Sequence, residues 1–198
     1  MKIIIKTFLI LLTITMFSCN SDDDQNITLN VCDESYVSTE MTHTFSTANG
    51  YTNLTEAKPL EVHHYAMRIL EDGVICSIGY QNPTNYTGTY TIKITNNNNG
   101  FIYEDVLSFS QTELEYHTIS QVLNVEAGDF ISVWRTITPG YTDINQANGT
   151  IINKMDNSAF TFPITGVNVK FLSSSFEGGG SAEYDTAIPH IALGFNAD

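Results

Sequence analysis

The sequence predicts an all-β protein, a two-sheet antiparallel β-sandwich of about nine or ten strands, most simply a jelly roll. Three observations predict it. Apolar and polar residues alternate along many short segments, clusters of Gly, Asn and Asp separate those segments, and no amphipathic stretch is long enough for the helix of a βαβ unit. The chain has 198 residues, of which 42% are hydrophobic, and this is enough for the core of one ordinary domain.

Alternation in the first half of the chain predicts strands at residues 41–47, 62–70, 74–80, 89–95 and 101–109. Turn residues at 71–73 and 96–100 separate neighbouring segments, and each turn predicts a hairpin. The second segment places His63, Tyr65, Met67 and Ile69 on one face and Val62, His64, Ala66 and Arg68 on the other. The fourth is expected to bury the face made of Tyr90, Ile92 and Ile94.

The second half is predicted to contain strands at residues 116–125, 129–137, 151–154, 159–164, 166–176 and 188–196. The first two are expected to pair through the turn at Ala127 and Gly128, and Trp134 and Arg135 fall on opposite faces, with Trp134 compatible with the core. The last two segments each place three apolar residues on one side: Val167, Val169 and Phe171, and Ile191, Leu193 and Phe195. The glycines at 178–180 indicate a loop that is flexible or lies close against another backbone.

The first 18 residues have the layout of a secretory signal, with two lysines followed by an apolar run too short to span a bilayer comfortably. Cys19 follows the small residue Ser18, and this junction resembles the lipobox of bacterial lipoproteins. The run Ser21, Asp22, Asp23 and Asp24 resembles the acidic surface-export signal of lipoproteins from Bacteroidetes. The resemblance implies lipid on Cys19, where each buried methylene contributes roughly 0.8 kcal/mol of membrane affinity. The alternative is an ordinary cleaved signal with an incidental cysteine.

Three parts of the chain follow from this: a signal peptide at 1–18, a flexible acidic tether at 19–31 and a β-sandwich domain at 32–198. Cleavage removes Lys2 and Lys6, so that six cations face 22 acidic residues and the net charge is −16. A surface this acidic repels phosphate backbones, which excludes nucleic acid as a partner. Cys32 and Cys76 remain after Cys19, and two interpretations stay open: a disulfide, which would contribute about 2 to 4 kcal/mol, or a buried hydrophobic thiol at Cys76.

The body of the chain carries strand and turn patterns at residues 75–81, 90–94, 109–112 and 125–136. With these patterns it resembles a family of uncharacterised surface lipoproteins from flavobacteria and, more loosely, β-sandwich modules that accompany carbohydrate-active proteins. The resemblance implies a jelly-roll-like sandwich lipid-anchored to the outer membrane and facing the cell exterior. It supplies no catalytic residue.

Candidate catalytic groups do not form a recognisable constellation in the sequence. His63 and His64 are adjacent and point to opposite faces of a strand, so they cannot share one metal, and no zinc spacing or Gly-x-Ser-x-Gly motif is present. A carboxylate pair for glycoside hydrolysis remains open among six acids: Glu104, Asp105, Glu113, Glu115, Glu126 and Asp129. No cofactor is expected, except that loop oxygens favour structural calcium weakly at Glu71, Asp72, Asp143, Asn145, Glu183 and Asp185.

Aromatic residues with amide neighbours in loops predict a ligand surface, because rings stack on sugars and amides bond to hydroxyls. The candidates are Tyr80, Gln81, Asn82, Tyr86, Tyr141 and Tyr184. The alternative is that these tyrosines cap a small sandwich. Thr186, within Asp185-Thr186-Ala187, resembles the acceptor of O-glycosylation in Bacteroidetes.

The leading hypothesis is therefore a non-enzymatic, lipid-anchored cell-surface module that binds a glycan or another extracellular macromolecule such as a surface protein. The alternatives are a hydrolase of extracellular polysaccharide and a purely structural envelope lipoprotein.

Overall fold

The computed structural model describes residues 36–137 and 147–198, with only the backbone of residues 36–39. The predicted signal and tether, with Cys19, Ser21, Asp22, Asp23 and Asp24, lie outside the described residues, as do Cys32, Tyr141, Asp143 and Asn145. Within the described part, no helix is long and apolar enough to cross a membrane.

Two antiparallel sheets form the sandwich that the alternation predicts. The larger has the strand order β11 (Ser181–Tyr184), β10 (Val169–Gly178), β2 (Val62–Ile69), β7 (Phe130–Ile137), β4 (Thr89–Asn96) and β5 (Phe101–Ser108), with β9 (Ile164–Thr165) paired to β10. The smaller consists of β13 (Ala192–Ala197), β3 (Gly73–Tyr80) and β6 (Glu115–Val125). The all-β sandwich is thus confirmed, whereas its jelly-roll topology stays a prediction.

A third sheet of three short strands has the order β1 (Thr55–Ala57), β8 (Gly149–Ile152) and β12 (Ile188–Pro189). Thirteen strands in all occur in the described residues, more than the nine or ten predicted, because several have only two to four residues. A short 3₁₀ helix, Thr47–Asn49, precedes the first of them.

The core lies between the two main sheets, where Tyr80 of β3 contacts Tyr90 of β4 at 5.2 Å between ring centroids. The inward face predicted for β4 is confirmed, since Tyr90, Ile92 and Ile94 are fully buried. In β2, the face made of His63, Tyr65, Met67 and Ile69 is the buried one. Ile191, Leu193 and Phe195 are buried, but so are Ala192 and Gly194 between them, so the shared side of these three residues stays a prediction. Val167 differs from the prediction, because it is 68% exposed and β10 begins only at Val169.

The strand predicted at 41–47 is wrong, because α1 (Tyr36–Thr44) is a helix. Met41 and Phe45 are both buried and lie four residues apart, which is one helical turn and also an even number of strand positions. Glu40 anchors the helix, because its carboxylate accepts hydrogen bonds from the backbone N–H groups of Val167 at 2.6 Å and Asn168 at 2.8 Å. The strand predicted at 159–164 is also wrong, since only Ile164 belongs to one, β9.

Two predicted pairings are wrong for one physical reason. β2 and β3 belong to different sheets, and so do β6 and β7, whereas the predicted hairpin of β4 and β5 is confirmed. The β2–β3 and β6–β7 connections cross between the sheets side by side and are hydrogen-bonded to each other. Ala127 N–H donates to Asp72 Oδ1 at 2.7 Å, and Gly128 N–H donates to Ile69 O at 2.8 Å. A short turn can therefore connect two strands of different sheets as well as two neighbouring strands of the same sheet.

Candidate functional site

A row of side chains crosses the outward face of the large sheet from edge to edge. Consecutive strands pair in register at each step, and directly opposed residues of an antiparallel pair share a face. Because the alternate residues form the core, this row faces outward. We call it the central strip; in spatial order it consists of Glu104, Lys93, Trp134, His64, Ser175 and Tyr184. Five strand spacings make it about 24 Å long.

The rows beside the central strip carry short side chains where they cross the middle of the sheet. One row pairs Thr95, Ser132, Ala66 and Ser173, and the other pairs Thr91, Thr136 and Val62. The larger side chains of the strip therefore project between two rows of short side chains. This profile favours an elongated ligand lying across the strands rather than along them.

Trp134 is held upright at the centre of the strip. Its ring stacks on the His64 imidazole, with 4.7 Å between centroids and 23° between planes, and Lys93 Nζ lies 5.9 Å from its centroid. Since β2 and β4 flank β7 on opposite sides, the two neighbours cover the two faces of the indole. Lys93 Nζ also pairs with Glu104 Oε2 at 3.6 Å. The strip is consequently preorganised by stacking and by one exposed ion pair.

His64 is neutral and has a defined tautomer in this arrangement. Ser175 Oγ donates to Glu177 Oε1 at 3.2 Å, so its remaining role toward His64 Nδ1, at 3.3 Å, is that of acceptor. The proton of the imidazole therefore sits on Nδ1, and the buried Nε2 is left without a partner among the described residues. Burial lowers the pKa of His64 to about 4, which keeps the ring uncharged at neutral pH.

Most of the loop residues predicted to contact a ligand are closed to solvent in the structure. Tyr80 ends β3 and is fully buried, Asn82 is buried, and Tyr86 is buried with its hydroxyl donated to Thr89 O at 2.8 Å. Gln81 is partly buried, and its amide donates to Gln111 O at 3.0 Å. Tyr184 differs from these, because it is 64% exposed and forms one end of the central strip.

Neither a family model nor a curated protein matches the chain. The candidate site therefore depends on geometry alone.

A second aromatic surface surrounds Tyr51, near the C-terminal end of α1. The ring packs against Phe45 and Phe160, and two shallow hollows of about 310 and 390 Å³ open on either side of it. Asn49 borders both hollows, but its amide is engaged with the carbonyl of Thr44 at 3.1 Å. The polar groups here thus end a helix, which makes this surface a weaker candidate than the strip.

Several of the acids considered as a hydrolytic pair instead accept hydrogen bonds that stabilise turns. Asp129 Oδ2 accepts from Asn96 Nδ2 at 2.6 Å and from Glu126 N–H at 3.0 Å, and Glu115 Oε2 accepts from Ser110 N–H at 2.6 Å. Glu104 and Asp105 are exposed on β5. No observed contact among the described residues brings two of these acids together at a cleft, and the hydrolase stays an alternative prediction.

The residues weighed as metal ligands are dispersed. Within residues 36–137 and 147–198, no three His, Cys, Asp or Glu side chains are close enough to hold an ion. His63 and His64 lie on opposite faces of β2, as predicted, with His63 inward and His64 outward, while His190 is buried elsewhere and His43 is exposed. Of the acids weighed for calcium, Glu183 forms an ion pair with Lys58, and Asp185 Oδ1 accepts from Ser174 N–H at 2.9 Å. Both acids therefore already have partners, and their contacts hold the β10 and β11 region together.

Two covalent predictions concern residues at other places in the fold. Cys76 is buried in β3 and takes part in a disulfide, but Cys19 and Cys32, the other cysteines of the chain, lie outside the described residues. The pairing of Cys76 with Cys32 therefore stays a prediction. Thr186, the predicted O-glycosylation site, is partly buried and donates its hydroxyl to Glu183 Oε2 at 3.1 Å.

Sequence reasoning missed the central strip itself. Its signal was present in the register: His64 and Trp134 both alternate with buried residues, so both had to face outward once their strands were assigned. The sequence could not show that β2 and β7 are neighbours, since even their paired positions nearest along the chain, Arg68 and Phe130, are 62 residues apart.

Proposed function

We propose that this protein is a non-catalytic surface module, anchored to the outer membrane by lipid on Cys19, that binds an extracellular glycan across the central strip. The observation that carries the proposal is the continuous register of the strip across six strands, from Glu104 at one edge to Tyr184 at the other. A sheet face of this kind is open to a long ligand, whereas the two hollows beside Tyr51 are small and shallow.

The chemistry of the strip suits a polymer of hydroxyl groups. The exposed carboxylate of Glu104 accepts hydrogen bonds, the Lys93 ammonium donates them, and the exposed ring of Tyr184 offers a surface for the C–H face of a sugar. Lys93 and Glu104 also neutralise each other locally, which limits repulsion of an uncharged ligand by this acidic protein. The proposed tether would give the sheet the reach to meet a ligand away from the membrane.

A glycan array with the mature chain, purified in detergent, tests the proposal. We expect one class of glycan to bind, and the Tyr184→Ala variant to lose about five- to tenfold in affinity, as expected for a stacked ring. The Lys93→Ala variant should lose binding to a similar extent. Leu54→Ala is the matched control, because Leu54 is also an exposed large side chain but lies off the strip. Absence of any bound glycan, or equal affinity in all variants, would contradict the proposal.

One observation favours a second function, that of a purely structural envelope component. Tyr80 and Tyr86, the predicted ligand tyrosines near the β3 to β4 connection, are buried and therefore cap the sandwich. Deletion of the protein should then weaken the envelope against detergent, and the Tyr184→Ala variant should restore resistance fully. If that variant fails to restore it, the strip itself is needed.

A further inference from the structure

Arg135 is fully buried on the inner side of β7, at one end of the sandwich. Its Nη2 donates to two backbone carbonyls, those of Leu60 at 3.3 Å and Ala147 at 3.2 Å. Two aromatic rings lie close to the guanidinium: its Cζ is 4.7 Å from the centroid of Tyr90 and 5.9 Å from that of Tyr80. The charge is thus closed off from solvent by the core.

Hydrogen-bond donors outnumber acceptors around this guanidinium, because each phenol oxygen can accept but each hydroxyl also donates. Nε and Nη1 of Arg135, and the hydroxyls of Tyr80 and Tyr90, are buried and have no close hydrogen-bond partner among the described residues. At longer range Arg135 faces the Tyr90 oxygen, and Tyr90 and the backbone of Thr150 face the Tyr80 oxygen. Burial raises the pKa of both phenols, against the opposing effect of the Arg135 charge, so both keep their protons. Each of these groups can therefore donate.

The nearby His63 adds only one acceptor. Its Nε2 lies 2.8 Å from Lys58 O, which makes Nε2 the protonated nitrogen, and Nδ1 is buried without a partner in the described part of the chain. Burial, and then the charge of Arg135, hold the pKa of His63 well below its usual range, so the ring carries no charge. The cluster as a whole has one positive charge and an excess of donors.

Among residues 36–137 and 147–198, the positive charge has no anionic partner. The three ion pairs found among the described residues involve Lys58, Lys93 and His117, and none involves Arg135. An isolated buried charge is strongly unfavourable, and the faces of two tyrosines compensate it only in part. A water molecule would satisfy the donors but leave the charge, whereas an anion satisfies both.

We propose that Arg135, Tyr80 and Tyr90 bind one small monovalent anion of the size of chloride. The ligand must be small, because Arg135, Tyr80, Tyr90 and His63 are all completely buried. It must be able to accept from guanidinium and phenol donors at once, which a halide does without preferred direction. The site lies on the opposite side of β7 from the central strip and does not depend on glycan binding.

The experiment compares sodium chloride with sodium gluconate at equal ionic strength, using the mature chain in detergent. We expect the midpoint of thermal unfolding to rise with chloride and to saturate, because a ligand of the native state stabilises it by mass action. Crystals soaked in sodium bromide should show an anomalous peak in contact with Arg135 Nε or Nη1. Tyr90→Phe removes one donor and should shift the chloride midpoint several-fold to higher concentration.

Lys93→Met is the matched control, because it removes a cation from the outer face of the same sheet and should leave the chloride response unchanged. Arg135→Met should abolish the response. If Arg135→Met does not fold, Tyr90→Phe and the bromide peak still decide the matter. Equal unfolding midpoints in chloride and gluconate, or a bromide-soaked crystal with no anomalous peak at Arg135, would overturn the proposal.

Discussion

Trp134 and Arg135 are consecutive residues of β7, and their side chains lie on opposite sides of the large sheet. The indole stands in the outward central strip against His64, whereas the guanidinium lies inside the sandwich against Tyr90. The strip and the buried cluster are therefore placed back to back by a single strand. Because each uses side chains that the other does not touch, a substitution in one is an internal control for the other.

The burial of His64 makes folding dependent on pH. Its pKa is about 4 in the folded protein against 6.5 for an unperturbed histidine, so the unfolded chain binds a proton that the folded chain does not. The contribution of His64 to the free energy of unfolding is fully present above pH 6.5. It is lost as the pH falls from 6.5 to 4 and does not change further below pH 4. We expect this histidine to account for a loss of about 3 kcal/mol across the window.

Urea unfolding at pH 7, 5.5 and 4 measures this effect. His64→Gln should lose less stability between pH 7 and pH 4 than the wild type, and any constant effect of the substitution cancels in the difference. His43→Gln, at an exposed histidine, should follow the wild-type profile. Parallel profiles for wild type and His64→Gln would show that His64 is not desolvated.

Tyr65 joins the large sheet to the segment that leads into β13. Its hydroxyl donates to the backbone carbonyl of Ile191 at 2.8 Å, and both groups are buried. Tyr65→Phe should destabilise the fold by about 1 to 2 kcal/mol, because the carbonyl loses its partner without regaining water. Tyr184→Phe removes an exposed hydroxyl and should change the free energy of unfolding by less than about 0.5 kcal/mol. Similar losses in the two variants would contradict this role for Tyr65.

Alternation along the chain predicted well which residues share a face of a strand, but predicted poorly which strands pair with each other. The inward face of β4, and the division of β2 into two faces, followed from period two alone. Pairing depends on which strands meet in space, and the connection after Ile69 crosses to the other sheet because its hydrogen bonds go to Gly128 and Ala127. No local pattern at 71–73 distinguishes such a crossing from a hairpin.

Chemical type was the misleading signal within β7. The pattern of Ile131, Val133 and Ile137 places Arg135 on the same inward face, yet a charged residue is rarely fully buried, and Trp134 is the more hydrophobic of the two. Arg135 nevertheless faces inward, because shifting the strand by one position to bury Trp134 instead would expose all three aliphatic side chains. A charged residue that interrupts an inward apolar series is therefore a sign of an internal polar site.

Glu40 fastens α1 to the chain just before β10. Glu40→Ala removes both carboxylate acceptors and leaves the N–H groups of Val167 and Asn168 without them, so we expect a loss of about 2 to 3 kcal/mol in urea unfolding. Glu71→Ala, at an exposed acid, is the matched control and should have little effect. A loss below 0.5 kcal/mol, roughly the noise of surface substitutions, would mean that the helix is held by Met41 and Phe45 alone.

The hairpin that presents Tyr184 to the central strip depends on Gly179 and Gly180. Their φ angles of 56° and 82° are those of a type I′ turn, and space around Gly179 is open, so only the backbone decides what residue fits. Gly179→Asn should keep or slightly raise the free energy of unfolding, because Asn tolerates this conformation and restricts the unfolded chain. Gly179→Val should lower it by about 1 to 2 kcal/mol, because a β-branched residue is strained at positive φ. Both variants are compared by urea unfolding, and equal stability of the Asn and Val variants would exclude the type I′ turn.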